Sequence, residues 1–133
     1  MALTKQEVFD KVATHLLTQM EQSRSEAAKG FSKEPTGCAY RGDGGKMCAV
    51  GCLIPDDIYD EEMEGKISYS LFYDFYKFRE LFDTSVPATE ITALLSALQK
   101  IHDCSNPSAW LRELEDEAIY RGLDTIALSK FRK

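Results

Sequence analysis

Cys38, Cys48 and Cys52 fall within fifteen residues, around the turn-forming run Gly42-Asp43-Gly44-Gly45. Thiols so placed can ligate a metal, attack a substrate or fill a small core. Zinc asks for four tetrahedral ligands, usually drawn from short-spaced pairs. Here the spacing is C-x9-C-x3-C, so Cys104 or His102 would have to complete a set of Cys38, Cys48 and Cys52. In a continued strand Cys48 and Cys52 would lie roughly 13 Å apart, and only a turn at Gly51 brings them together. The competing reading is packing, because reduced cysteine behaves as a small, buried hydrophobe. A nucleophilic cysteine needs a base and a group to orient that base. Cys48 with His102 and Asp103 is the set that could supply them. The other histidine, His15, sits like His102 at the edge of an apolar helical face, where a packing role is the usual one. No Walker loop, dinucleotide fingerprint or H-E-x-x-H occurs, so no cofactor is expected, zinc being the one candidate.

Two further groups of residues suit recognition rather than reaction. Asp56, Asp57, Asp60, Glu61, Glu62 and Glu64 put six carboxylates into nine residues. On a helix, Asp57, Asp60, Glu61 and Glu64 would share a face, which a basic partner would relieve and water would also solvate. The run lacks the residue order of a calcium loop. Tyr69, Phe72, Tyr73, Phe75, Tyr76, Phe78 and Phe82 then crowd seven aromatics into one segment. If Leu71, Phe75, Phe78 and Phe82 face a core, Tyr69, Phe72, Tyr73 and Tyr76 point elsewhere. One helix of a two-layer domain cannot bury every side, and exposed tyrosines have the composition of a binding hot spot.

The elements that must position these groups are mostly helical. Thr4-Lys5-Gln6-Glu7 reads as a capping box, followed by Val8, Phe9, Val12, Ala13, Leu16, Leu17 and Met20 at helical spacing. Residues 23–37 lose all periodicity and are expected to form a mobile loop. Residues 38–50 are predicted to form a β-hairpin, with Asp43-Gly44-Gly45 as a three-residue loop. That register would collect Cys38, Tyr40, Cys48 and Val50 on one buried face. Cys38 and Cys48 would be diagonal neighbours at roughly 7–8 Å, beyond comfortable disulfide reach. Short and long helices are predicted over 56–64 and 68–82. A cleaner stripe of Ile91, Leu94, Leu95, Leu98 and Ile101 follows Pro87, and Asn106-Pro107 opens the helix carrying Trp110, Leu111, Leu114 and Ala118. The expected fold is α+β: one mostly helical domain over residues 1–133, with about five helices and one small hairpin.

Bulk properties narrow the function. The chain has 133 residues, 44% apolar and 29% charged, with a net charge of −6. This is ordinary for a single globular domain and argues against binding a nucleic-acid backbone, which needs a dense basic patch. Nothing resembles a signal peptide or a bilayer-length apolar run, so a cytoplasmic setting with reduced cysteines is expected and no membrane partner. Self-association stays open.

The stretch Cys38-x-Tyr40-Arg41-Gly42…Gly45-Lys46-x-Cys48-Ala49-Val50-Gly51-Cys52-Leu53-Ile54-Pro55-Asp56, with Met63-Glu64-Gly65 behind it, resembles small uncharacterised proteins carried by tailed phages and prophages. The likeness extends to Leu94-Leu95-x-x-Leu98-Gln99-x-Ile101-His102-Asp103 and Trp110-Leu111. It implies an origin rather than a mechanism. By analogy with small acidic phage proteins that lack catalytic motifs, it points to a non-catalytic protein that binds and inhibits a host or defence protein. The Tyr69/Phe72/Tyr73/Tyr76 helix and the Asp57–Glu64 face are the expected contact surfaces. A zinc-stabilised domain and a cysteine-dependent enzyme are the alternatives.

Overall fold

The capping box forms as the sequence dictates. In a computed structural model describing residues 2–24 and 39–132, Thr4 Oγ1 accepts the Glu7 N–H at 3.1 Å and the Glu7 carboxylate accepts the Thr4 N–H at 3.0 Å. This opens α1 (Lys5–Gln19), which buries Val8, Phe9, Val12, Ala13, Leu16 and Leu17 and ends at Met20 in a left-handed conformation. The remaining helices are α2 (Ser68–Asp74), α3 (Tyr76–Arg79), α4 (Ala88–Cys104) and α5 (Pro107–Arg121). Pro107 supplies the first helical position of α5, and Gly122, at φ 71°, closes it. Single 3-10 turns occupy Asp43–Gly45, Gly51–Leu53 and Glu61–Met63, and a longer one spans Ile126–Phe131. α1 packs on α4, α5 and two of these turns, while α4 also takes α2. One core results, centred on Trp110, Phe9, Phe78, Leu16, Leu94, Leu95, Leu98 and Leu114. No helix among the described residues is long and apolar enough to cross a membrane.

The expected hairpin does not form, and the α+β assignment is corrected: among the described residues the fold is helical, with an isolated parallel bridge between Leu3 and Phe82 and no sheet. The reason lies in where the backbone donors go. Gly44 and Gly45 both take positive φ (73° and 77°), and Gly42 N–H closes the turn on the Lys46 carbonyl at 2.8 Å. No ladder follows, because side chains take the donors instead. Glu64 accepts the N–H groups of Tyr40 and Arg41, Gln19 that of Met47, and Gln99 that of Val50. The segment from Ala39 lies against the end of the α1 extension, with Ala39 N–H on Ser23 O and Asp43 N–H on Arg24 O. Cys38, one corner of the expected register, lies outside the described residues, as does most of the loop expected over 23–37.

Two predicted helices are also revised. Residues 56–64 make a turn over 56–58 and the Glu61–Met63 turn but no helix, because Asp60 between them is extended and its carboxylate accepts the Glu62 N–H at 2.9 Å. Asp57, Asp60, Glu61 and Glu64 therefore do not share a helical face. The segment predicted as one helix over 68–82 breaks at Phe75, whose φ −119° and ψ 96° are not helical. In an unbroken helix Phe72 and Phe78 would point about 120° apart. The break turns both inward, so that Phe72 and Phe78 each meet Phe82, with ring centroids 6.0 and 5.1 Å away. Arg79 donates to the Phe72 carbonyl at 3.2 Å, satisfying a group the interrupted helix leaves open.

Candidate functional site

His102 lies in the last turn of α4 and is fully buried. The Ser23 backbone N–H points at its Nε2 at 2.9 Å, and Asp103 Oδ1 lies 2.7 Å from its Nδ1. A backbone N–H can only donate, so Nε2 is the acceptor and Nδ1 carries the proton given to Asp103. Trp110 stacks on the imidazole at 5.7 Å and 24°, while its indole N–H reaches the Ile101 and Ser105 carbonyls at 3.1 and 3.2 Å. The Ile101 carbonyl also accepts the N–H of Ser105, the residue that caps α4, so the indole reinforces the helix end. Gln22 donates to the His102 carbonyl at 2.9 Å. Gln99 donates to Asp103 at 2.7 Å and accepts the Val50 N–H at 3.0 Å. Ser23, His102 and Asp103 thus stand in the order of a catalytic triad without its chemistry. The atom of Ser23 on the imidazole is the backbone nitrogen, and its hydroxyl is spent on the Ala39 carbonyl at 2.7 Å.

The thiols are similarly engaged. Cys48 is buried and accepts the Gly51 N–H at 3.3 Å. Burial pushes its thiol well above the usual range. Cys52 donates to the Ala49 carbonyl at 3.1 Å, and burial pushes its thiol up to about 12, against the pull of Lys11 and Arg41. Neither is poised as a thiolate. Cys104 is exposed at the end of α4. Among the described residues no three of His, Cys, Asp and Glu are grouped to hold a metal. Within the predicted zinc set, His102 has both ring nitrogens occupied, and Cys38 lies outside the described residues. His15 bonds the Met47 carbonyl at 2.8 Å, beside the Gln19 amide that grips the same peptide.

The Gly-rich motif is organised by two residues that sequence reading did not single out for this role. Arg41 donates to Gly51 O at 2.8 Å and Ile54 O at 2.6 Å, reaches Asp56 at 3.1 Å, and lies over the Tyr59 ring at 4.7 Å. Glu64 accepts from Tyr40 N–H and Arg41 N–H, each at 3.0 Å, and from the Tyr59 hydroxyl at 2.6 Å. Its carboxylate therefore faces inward rather than joining the expected acidic binding face. Tyr40 completes the clasp, its hydroxyl donating to the Lys66 carbonyl. A Cβ on Gly51 would sit 2.3 Å from the Tyr40 oxygen, so only glycine permits this approach. The one available signal was negative: an arginine and a glutamate flanking backbone with no regular period.

The aromatic segment divides cleanly. Phe72, expected beside the tyrosines, is buried against Phe82. Tyr69, Tyr73 and Tyr76 are 56%, 46% and 60% exposed, next to Ile67 at 68%. The Tyr69 and Tyr73 rings pair at 4.7 Å on one face of α2. Asp57, Asp60 and Glu61 are exposed in the preceding segment. Ile119 and Tyr120 in the last turn of α5, and Ile126 shortly after it, are also exposed and went unnoticed in the sequence. No family model, curated protein or solved structure matches the chain.

Proposed function

We propose that this chain is a non-catalytic binding protein of the phage type, which engages a host or defence protein and inhibits it by occupying it. The observation that carries the reading is the exposure of Tyr69, Tyr73 and Tyr76 beside Ile67 on α2 and α3. Tyrosine supplies a large contact area at small entropic cost and is enriched among residues that dominate binding energy. The residues best suited to chemistry are otherwise employed. His102 has both nitrogens bonded, and Cys48 and Cys52 are held as thiols.

The test is affinity enrichment from bacterial cells with tagged wild type and the triple variant Tyr69→Ser/Tyr73→Ser/Tyr76→Ser. A partner retained by wild type and lost by the variant, whose own activity falls when the purified chain is added, is the expected result. Equal retention by both proteins would remove the tyrosine surface from the account.

A further inference from the structure

The net charge of the chain is concentrated in the stretch that carries the exposed Tyr69, Tyr73 and Tyr76. Residues 56–80 hold eight of the 22 carboxylates and three of the 16 lysines and arginines, so five of the six net negative charges fall in this stretch. The rest of the chain is almost neutral. The cations inside the stretch are Lys66, Lys77 and Arg79, and Arg79 bends back to the Phe72 carbonyl. Asp57, Asp60, Glu61 and Glu62 are exposed, and Asp56 meets Arg41 from a fully exposed position.

The acidic turn and the tyrosine helix are also tied together. Tyr40 is clasped by both, its N–H on Glu64 just after the Glu61–Met63 turn and its hydroxyl on Lys66 O just before α2. One buried residue, through its backbone N–H and its hydroxyl, thereby ties the two segments together, which lowers the ordering cost of using them at once.

From this coincidence we infer that the surface takes a basic partner: an arginine- or lysine-bearing protein segment whose cations meet the 56–62 carboxylates and the ring faces of Tyr69, Tyr73 and Tyr76. The inference rests on the binding-protein reading and names the partner's chemistry. Aromatic faces attract guanidinium and ammonium groups, and complementary charge speeds encounter and selects among partners. The chain applies the same chemistry within itself, where Arg41 lies over Tyr59 and reaches Asp56.

The probe is a short synthetic peptide alternating arginine with leucine and serine, set against a counterpart with glutamate at each arginine. Calorimetric titration of the full chain should show binding of the basic peptide alone, weakening roughly threefold or more between about 50 and 300 mM salt. Tyr69→Ser/Tyr73→Ser and Asp60→Asn/Glu61→Gln should each weaken it roughly fivefold. Glu90→Gln/Asp116→Asn, which removes two charges outside the stretch, should leave it unchanged. No binding, equal binding of the acidic peptide, or equal weakening by the outside pair would overturn the inference, the last by showing general attraction to an acidic protein. Indifference to the tyrosine pair would overturn it as well. A cellular partner lost with the tyrosines, combined with a basic peptide that does not bind, would leave the binding-protein reading standing and remove only the basic partner.

Discussion

Replacing Glu64 by alanine removes the acceptor for three donors at once: Tyr40 N–H, Arg41 N–H and Tyr59 O–H, at 3.0, 3.0 and 2.6 Å. Tyr40 is buried, so its N–H cannot recruit water in exchange. A hydrogen bond to a charged group contributes about 1.5–3 kcal/mol, and a donor left buried without a partner costs about 1–3 kcal/mol. The three bonds share one carboxylate and the Arg41 and Tyr59 groups are only partly buried, so the terms do not add in full. A loss of about 3–5 kcal/mol follows. That is a large share of the roughly 5–15 kcal/mol that holds a domain together. The assay is urea unfolding followed by circular dichroism, with Glu62→Ala as the matched control. Glu62 is exposed in the same acidic turn, so its removal deletes the same charge without an inward bond. Glu62→Ala should be neutral or slightly stabilising because it relieves repulsion. Equal midpoints for Glu64→Ala and Glu62→Ala would refute the clasp.

Three further outcomes follow from the same geometry. Of the three described thiols, Cys104 should react first with a thiol reagent at neutral pH, and Cys48 and Cys52 only on unfolding; labelling followed by peptide mapping reads this directly. Stability should fall at high pH. The Cys52 thiol is raised from 9.0 to about 12, so the unfolded chain releases its proton first; the contribution is full below about pH 9 and lost at about 1.4 kcal/mol per pH unit as pH rises toward 12. Cys48, Tyr40 and Tyr59, all raised by burial, act in the same direction, and denaturant midpoints from pH 7 to 11 should show the decline. Gly51→Ala places a methyl 2.3 Å from the Tyr40 oxygen, so it should destabilise by about 2 kcal/mol or more, measured as a lowered melting temperature.

The parts of this fold that were legible are those written as periods and caps. Thr4 and Glu7 mark the start of α1, the Ile91 to Ile101 stripe marks α4, and Pro107 and Gly122 bracket α5. Residues 39–66 were not legible, because their backbone is held by side chains distant in sequence. Gln19 clamps Met47, and Gln99 clamps Val50. Glutamine used as a substitute strand edge leaves no periodic trace, so the glycines and alternating residues there read as a hairpin. The exposed tyrosines were foreseeable, since one helix could not bury all seven aromatics. The inward turn of Phe72 was not, because it depends on the break at Phe75. The packing role of His102 was legible from its place at the edge of an apolar helical face, but its partners were not: Asp103 takes Nδ1, and the Ser23 peptide, brought in from beyond the end of α1, takes Nε2.

The central claim is that recognition lies on the tyrosine face while the cysteine and histidine residues serve the architecture. The most direct measurement is titration of the partner obtained by enrichment with wild type, with Tyr69→Ser/Tyr73→Ser/Tyr76→Ser and with Cys48→Ala, each checked for its melting temperature. The account predicts that the tyrosine variant keeps its stability and loses affinity at least tenfold, about 1.4 kcal/mol or more. Cys48→Ala should lose stability and keep its affinity. A Cys48→Ala protein that stays folded yet no longer inhibits the partner, beside a tyrosine variant that still does, would contradict it.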